Sequence, residues 1–191
     1  MEREMNKILI CLYEKNDKDF SRTYEAIKRK DRVSDDELST ISIDNKITLI
    51  DSNYPASLKN TRPIFVLYTK GLFVPKKRVF VLGSKPFNMD DDLIVRITEN
   101  NTVKVGNQFE VWSNTEKIND AINIALAYSN NYLLITKGYN EKDARTIVVQ
   151  ALSYSADIGV MPSNNPSFGN KLIKDGAYLV DSIDDLSEVI E

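Results

Sequence analysis

The amino-acid sequence predicts an α/β protein: a mostly parallel sheet with helices on both faces, preceded by a small helical unit. Two observations predict this. Short, near-continuous apolar runs rich in β-branched and aromatic residues recur at 64–69, 78–84, 132–136 and 157–161, the pattern of strands buried on both faces. From about residue 78 to the end, such runs take turns with amphipathic stretches of helical period. Alternation of that kind implies parallel strands joined by helical crossovers.

The elements follow in order. Residues 3–15 place Met5, Ile8, Leu9 and Leu12 at helical spacing. Residues 17–30 place Phe20, Tyr24 and Ile27 on one helix face, with Asp17 as the expected cap. Residues 34–41 open with Ser34 and acids, the signature of a cap followed by a short helix. These stretches make up the expected N-terminal unit, 1–43, ahead of a second unit at 44–191. There, 47–51 reads as a short strand, and Pro55 suits the first turn of a helix. Residues 89–98 predict a helix whose first-turn acids, Asp90, Asp91 and Asp92, complement the helix dipole. Residues 102–112 read as an extended pair around Gly106. A helix is expected over 115–128, capped by Asn114 or Thr115, with the stripe Ile118, Ala121, Ile122, Ala125 and Leu126. Then come a strand (132–136), a helix (141–155), a strand ending before Pro162, a helix (167–174), a strand (178–180) and a last helix (184–190). The whole second unit is Rossmann-like, without internal repeats or a low-complexity linker.

Composition narrows the function. The 191 residues are 42% hydrophobic and 28% charged, as expected for one domain with a small appendage. No apolar run approaches the ~20 residues of a membrane span, and the N-terminus lacks a small-residue cleavage site. The single cysteine, Cys11, excludes an internal disulfide. It sits among apolar residues, so a buried thiol and a cytoplasmic address are expected. Histidine is absent, which excludes Ser-His-Asp and Cys-His catalysis and any His-ligated metal. No catalytic residues, metal or cofactor are expected. The net charge of −3 means that any binding of nucleic acid has to come from a local basic patch.

Two blocks carry a resemblance. The first spans residues 47–85 and holds Asp51, Tyr54, Pro55, Leu58, Pro63, Leu67, Gly71, Gly83 and Ser84 in order. The second spans 151–186 and holds Pro162, Gly169, Asn170, Leu172, Ile173, Gly176, Ala177 and Asp185. Together they resemble the DNA-processing protein A (DprA/Smf) family, in shortened and divergent form. The departures are specific. Lys85 stands where the family has Arg, and Ser163 follows Pro162 where it has Gly. Ile118-Asn119-Asp120 stands in place of an Arg-rich turn, and Lys142-Asp143-Ala144 in place of Ser-Gly-Ser. About one βαβ unit is missing between Lys85 and Trp112. The resemblance implies a non-enzymatic protein of DNA uptake and recombination that binds single-stranded DNA on its Rossmann core, works with the recombinase RecA and forms a homodimer.

Ligands of open α/β sheets sit beyond the carboxyl ends of the strands, where strand order reverses. Gly83, Ser84 and Lys85 follow one strand, and Lys137 with Gly138 follows another. Ser167, Gly169, Asn170 and Lys171 open a helix. These segments form the expected phosphate-binding site: close-approach glycines, a hydroxyl, backbone N–H groups and lysines. The acids at 90–92 work against it. Trp112 lies on the more polar side of its strand and is the candidate for stacking on a base. Arg145 is expected to pair with Glu141 on its helix. No Walker A loop and no G-x-G-x-x-G follows a strand, and no nucleophile can be paired with a base. Two rival readings stand beside DNA binding: a nucleotide-derivative sensor using the same edge, and a degenerate scaffold that keeps only a dimer or partner surface.

Overall fold

A computed structural model of the chain describes residues 2–61, 63–113, 117–164 and 167–190. Helix α1 (Glu2–Lys15) buries Leu9, Ile10, Leu12 and Tyr13. Helix α2 (Phe20–Lys28) is capped by Asp19, which accepts from the Arg22 N–H. The expected cap, Asp17, is instead in the left-handed region at φ +55, inside the turn that closes α1 through Lys18 N–H to Tyr13 O. The Phe20–Tyr24–Ile27 face of α2 is partly exposed, with Phe20 stacked on the buried Phe65 at 4.7 Å. Small Thr23 and Ala26 make the buried contact, because they let two helices approach closely. Helix α3 (Asp35–Thr40) begins with a full capping box between Ser34 and Glu37.

The strands are β1 (Lys46–Thr48), β2 (Val66–Gly71), β3 (Val79–Leu82), β4 (Ile94–Ile97), β5 (Val103–Val105), β6 (Phe109–Trp112), β7 (Tyr132–Ile135), β8 (Asp157–Val160) and β9 (Tyr178–Leu179). They form a single sheet in the order β1-β2-β6-β5-β4-β3-β7-β8-β9. Helices α4 (Ala56–Thr61), α5 (Ile118–Tyr128), α6 (Glu141–Ser153), α7 (Phe168–Lys174) and α8 (Ser187–Ile190) complete the fold.

The α/β class is as expected, but the sheet is mixed rather than mostly parallel. β4-β3-β7-β8-β9 pair in parallel, whereas β1-β2-β6-β5-β4 pair antiparallel. The reason lies in residues 89–112. The expected helix there is a 3₁₀ turn (Asp91–Leu93) followed by β4. Ile94 enters one core, while Val95 and Ile97 enter the opposite one, an alternation of period two that a helix cannot supply. The chain then returns twice through tight turns, one closed by Thr98 N–H to Thr102 O and one at Gly106. Connections this short allow only antiparallel pairing. A three-stranded meander of β4, β5 and β6 therefore fills residues 94–112. The acids at 90–92 tie this segment down. Asp90 accepts from Asp92 N–H, and Asp92 pairs with Lys76 at 2.8 Å and accepts from Asn107 N–H.

Both faces are covered. On one, α4, α5, α6 and α7 enclose the largest core, with Leu67, Phe80, Val95, Val111, Leu133 and Val160 pointing into it. On the other, α1 covers β2 through Leu9, Ile10 and Tyr13 against Phe65 and Val66. At the far end, Met89, Leu186 and Val180 cover β3 and β7. Helix α5 is buried nearly all round, including Ala121, Ile122, Ala125 and Leu126, although Ile118 is 41% exposed. The expected caps Asn114 and Thr115 lie outside the described residues. The last expected helix is split into a 3₁₀ turn (Asp184–Leu186) and α8. Cys11 is buried. No described helix is long and apolar enough to cross a membrane.

Candidate anion-binding rim

Strands β3 and β7 end side by side in parallel register, Leu82 opposite Ile135, so the residues after them must share one rim. Thr136, itself buried, donates its N–H to Leu82 O at 2.9 Å and its hydroxyl to Ser84 O at 2.6 Å. Ser84 N–H donates to Lys137 O at 2.8 Å. This interlock needs two glycines. Gly83 is at φ +105, and a Cβ there would stand 2.6 Å from both Lys137 O and Thr136 Oγ1. Gly138 is at φ +80, with the Ser84 hydroxyl 3.0 Å from where its Cβ would be. Left-handed backbone and close approach together exclude larger residues.

The third segment is pinned to the same rim. Gly169 N–H donates to the hydroxyl of Tyr139, the neighbour of Gly138, at 2.9 Å. Asn170 clamps the loop before α7: its Oδ1 accepts from Ser163 N–H at 2.9 Å, and its Nδ2 donates to Ser163 O at 2.7 Å. Its own N–H donates to the cap, Ser167 Oγ, at 3.1 Å. The backbone donors of Ser84, Gly169 and Asn170 are thus spent within the protein. What the rim offers outward is the Ser84 hydroxyl and three lysines, Lys85, Lys137 and Lys171, all exposed.

The lysines differ in their surroundings. Lys85 pairs with Asp91 at 3.1 Å, which offsets part of its charge. Among the described residues, no ion pair involves Lys137 or Lys171. Arg145 pairs with Glu141, as its spacing predicts, and also lies over the Phe168 ring at 4.5 Å.

Trp112 stands apart from this rim, three strands from β3 in the sheet order. As the alternation of its strand predicts, Phe109 and Val111 enter the core while Trp112 faces the other way. It is half-buried and stacks on Tyr68, with ring centroids 6.2 Å apart. Lys18 and Lys46 approach the Tyr68 ring at 5.9 Å.

Beside Gly83 the pairing of β3 with β4 runs over Val79–Ile94 and Phe80–Val95. Beyond it lies a cleft of about 530 Å³ lined by Gly83, Arg96, Ile97, Thr98, Ile118 and Thr146, among others. Thr136, Tyr139 and Arg96 are the contributors that the sequence motifs did not single out. The signal for Thr136 was a polar β-branched residue closing an apolar strand. Arg96 was hidden because its segment reads as a helix. Among the described residues, no group of His, Cys, Asp or Glu is placed to hold a metal ion.

No protein-family model matches the chain, and no curated protein matches it. Among solved structures, the X-ray structure of DNA processing protein A (DprA) from Streptococcus pneumoniae is similar, with a TM-score of 0.58 and 13% sequence identity. The match covers 90% of this chain and 82% of that one. At this identity the likeness is one of architecture: the chain has a DprA-like α/β fold.

Proposed function

We propose that the chain is a non-enzymatic DNA-processing protein of the DprA type, which binds single-stranded DNA through phosphate contacts on this rim. The observation that carries the reading is the convergence of residues 83–85, 137–138 and 167–171 at the carboxyl ends of β3, β7 and β8, held by Ser84–Lys137 and Gly169–Tyr139. The DprA-like fold supports it. Because the N–H groups of Ser84, Gly169 and Asn170 are already used, the contacts fall to Lys85, Lys137, Lys171 and the Ser84 hydroxyl. Gly83, Gly169 and Asn170 act by shaping and holding the loops. The reading extends to a cytoplasmic protein that dimerises and works with the recombinase RecA.

Lysine–phosphate contacts release counterions, so affinity must fall with salt. Three such contacts on a single strand predict a slope of log K against log salt of about −2. A fluorescence-anisotropy titration of labelled oligo(dT) at low salt tests this. Lys85→Ala, Lys137→Ala and Lys171→Ala should each weaken binding and flatten the slope by about 0.7. Absence of binding at tens of micromolar protein, or unchanged affinity in all three variants, would overturn the reading.

A further inference from the structure

The β5–β6 part of the sheet is packed on one face and open on the other. Val103, Val105, Phe109 and Val111 point into the largest core, so the residues that alternate with them on β5 and β6 stand on the opposite face. There α1 covers β2 through Phe65 and Val66, and Met89, Leu186 and Val180 cover β3 and β7. Between these covers the registers set two rows of side chains across the sheet. Lys46, Tyr68 and Trp112 are direct neighbours in one row. Lys70, Glu110, Lys104 and Arg96 are direct neighbours in the next. Lys70 and Lys104 are exposed, and Tyr68, Glu110 and Trp112 are partly so.

Two observations on this face point to one ligand. The first is aromatic. The Tyr68 and Trp112 rings are stacked, 21° from parallel, and both line an open recess together with Lys18, Lys46 and Lys70. Aromatic rings beside a basic track are surfaces on which unpaired bases stack. The second is charge. Lys18, Lys46, Lys70, Lys104 and Arg96 stand on this face against the acids Glu14, Asp44 and Glu110, in a chain whose net charge is −3. Glu14 accepts from the Tyr68 hydroxyl at 3.4 Å. Asp91, which borders Arg96 and Lys104, is paired with Lys85. Among the described residues, no ion pair takes up any of these five cations. The face also adjoins the rim. Through one parallel and two antiparallel pairings β6 runs in the direction of β3, so Trp112 ends at the same edge of the sheet, about 14 Å from β3 at the usual strand spacing.

We infer that this open face is a second contact surface for single-stranded nucleic acid, separate from the rim: a base stacks on Trp112 beside Tyr68, and Lys70 and Lys104 take flanking phosphates. For the identity of the polymer the inference rests on the DNA reading above. Its residues are different ones, because none of Lys85, Lys137 and Lys171 stands on β1, β2, β5 or β6.

Trp112 is the only tryptophan in the chain, so tryptophan fluorescence reports on this face alone. Titration of the full chain with oligo(dT) at low salt should quench it. An abasic oligomer of equal length should leave it unchanged, because it carries the phosphates without bases to stack, and so should poly-glutamate of equal charge. Trp112→Ala should weaken oligo(dT) binding about five- to hundredfold, and Trp112→Phe, which keeps a ring, much less. Lys70→Ala and Lys104→Ala should each flatten the salt slope by about 0.7, because their contacts add to those of the rim. Glu110→Gln, which removes the acid between those lysines, should tighten binding. If Trp112→Ala does not fold, quenching in the unaltered protein still decides. The two readings fail separately. Binding that depends on Lys137 and Lys171 but leaves Trp112 fluorescence unchanged overturns this inference and spares the rim. Quenching that persists with Lys85, Lys137 and Lys171 all changed to alanine supports it without the rim. Equal quenching by the abasic oligomer or by poly-glutamate overturns it, because the face would then read charge alone.

Discussion

Ser84 donates its backbone N–H to the Lys137 carbonyl across 2.8 Å, so two loops distant in sequence behave as one surface. The lysines of that surface are positioned by strand ends rather than by flexible loops, and the glycines that permit the approach are as necessary as the charges.

Gly83 is the most constrained of them. Gly83→Ala forces a Cβ into left-handed backbone and against Lys137 O and Thr136 Oγ1. The expected loss is about 2–3 kcal/mol of stability, measured by urea denaturation. Oligo(dT) binding should weaken as well, because the rim must open to accept the methyl group.

Asp91 holds Lys85 at 3.1 Å on the surface. Asp91→Asn releases that lysine and removes a negative charge beside the rim. Exposed pairs are weak, so the expected gain in oligo(dT) affinity is about two- to fivefold, greatest at low salt. Equal or weaker binding in the variant would count against Lys85 as a phosphate contact.

Asn170 joins both backbone groups of Ser163. Asn170→Ala removes both of these partly buried bonds, at an expected cost of about 1–2 kcal/mol. Faster amide hydrogen exchange should appear at Ser163 and in the first turn of α7, with α1 unaffected.

Glu37 sets an acid limit on the N-terminal helices. The Lys15 ammonium, the Ser34 N–H and the Ser34 hydroxyl all bond its carboxylate and pull its pKa down to about 2 from an ordinary 4.5. A depressed folded value contributes stability above the unfolded pKa, and that contribution fades as pH falls from about 4.5 through 2. Melting curves of the unaltered protein and Glu37→Gln should therefore differ at neutral pH, with the variant melting lower. The two should converge as pH approaches 2.

Features set by neighbours in sequence were readable in advance. Ser34 and Glu37, three apart, predict the capping box that α3 has, because the partners lie within one helical turn. The apolar runs at 78–84 and 132–136 predict β3 and β7, and the alternation in 109–112 predicts which way Trp112 faces. The segments that meet on the rim are likewise recognisable, since Gly and Lys after a buried strand can only stand at its end. The Ile94–Ile97 stretch shows the limit. Its residues suit a helix by their acidic start and a strand by their β-branching, and only the presence of apolar partners on both sides makes it β4.

What the chain alone determined, then, is where β3, β7, β8 and the Ser34 cap fall, because local propensity and hydrophobic period act within a few residues. The tertiary structure decided three things that depend on distant partners. It chose antiparallel pairing for half of the sheet, it consumed the backbone N–H groups of Ser84, Gly169 and Asn170 in Lys137, Tyr139 and Ser167, and it set Lys104 between Arg96 and Glu110. Pairing, hydrogen-bond competition and Coulomb repulsion all depend on separation in space, which no spacing along the chain specifies.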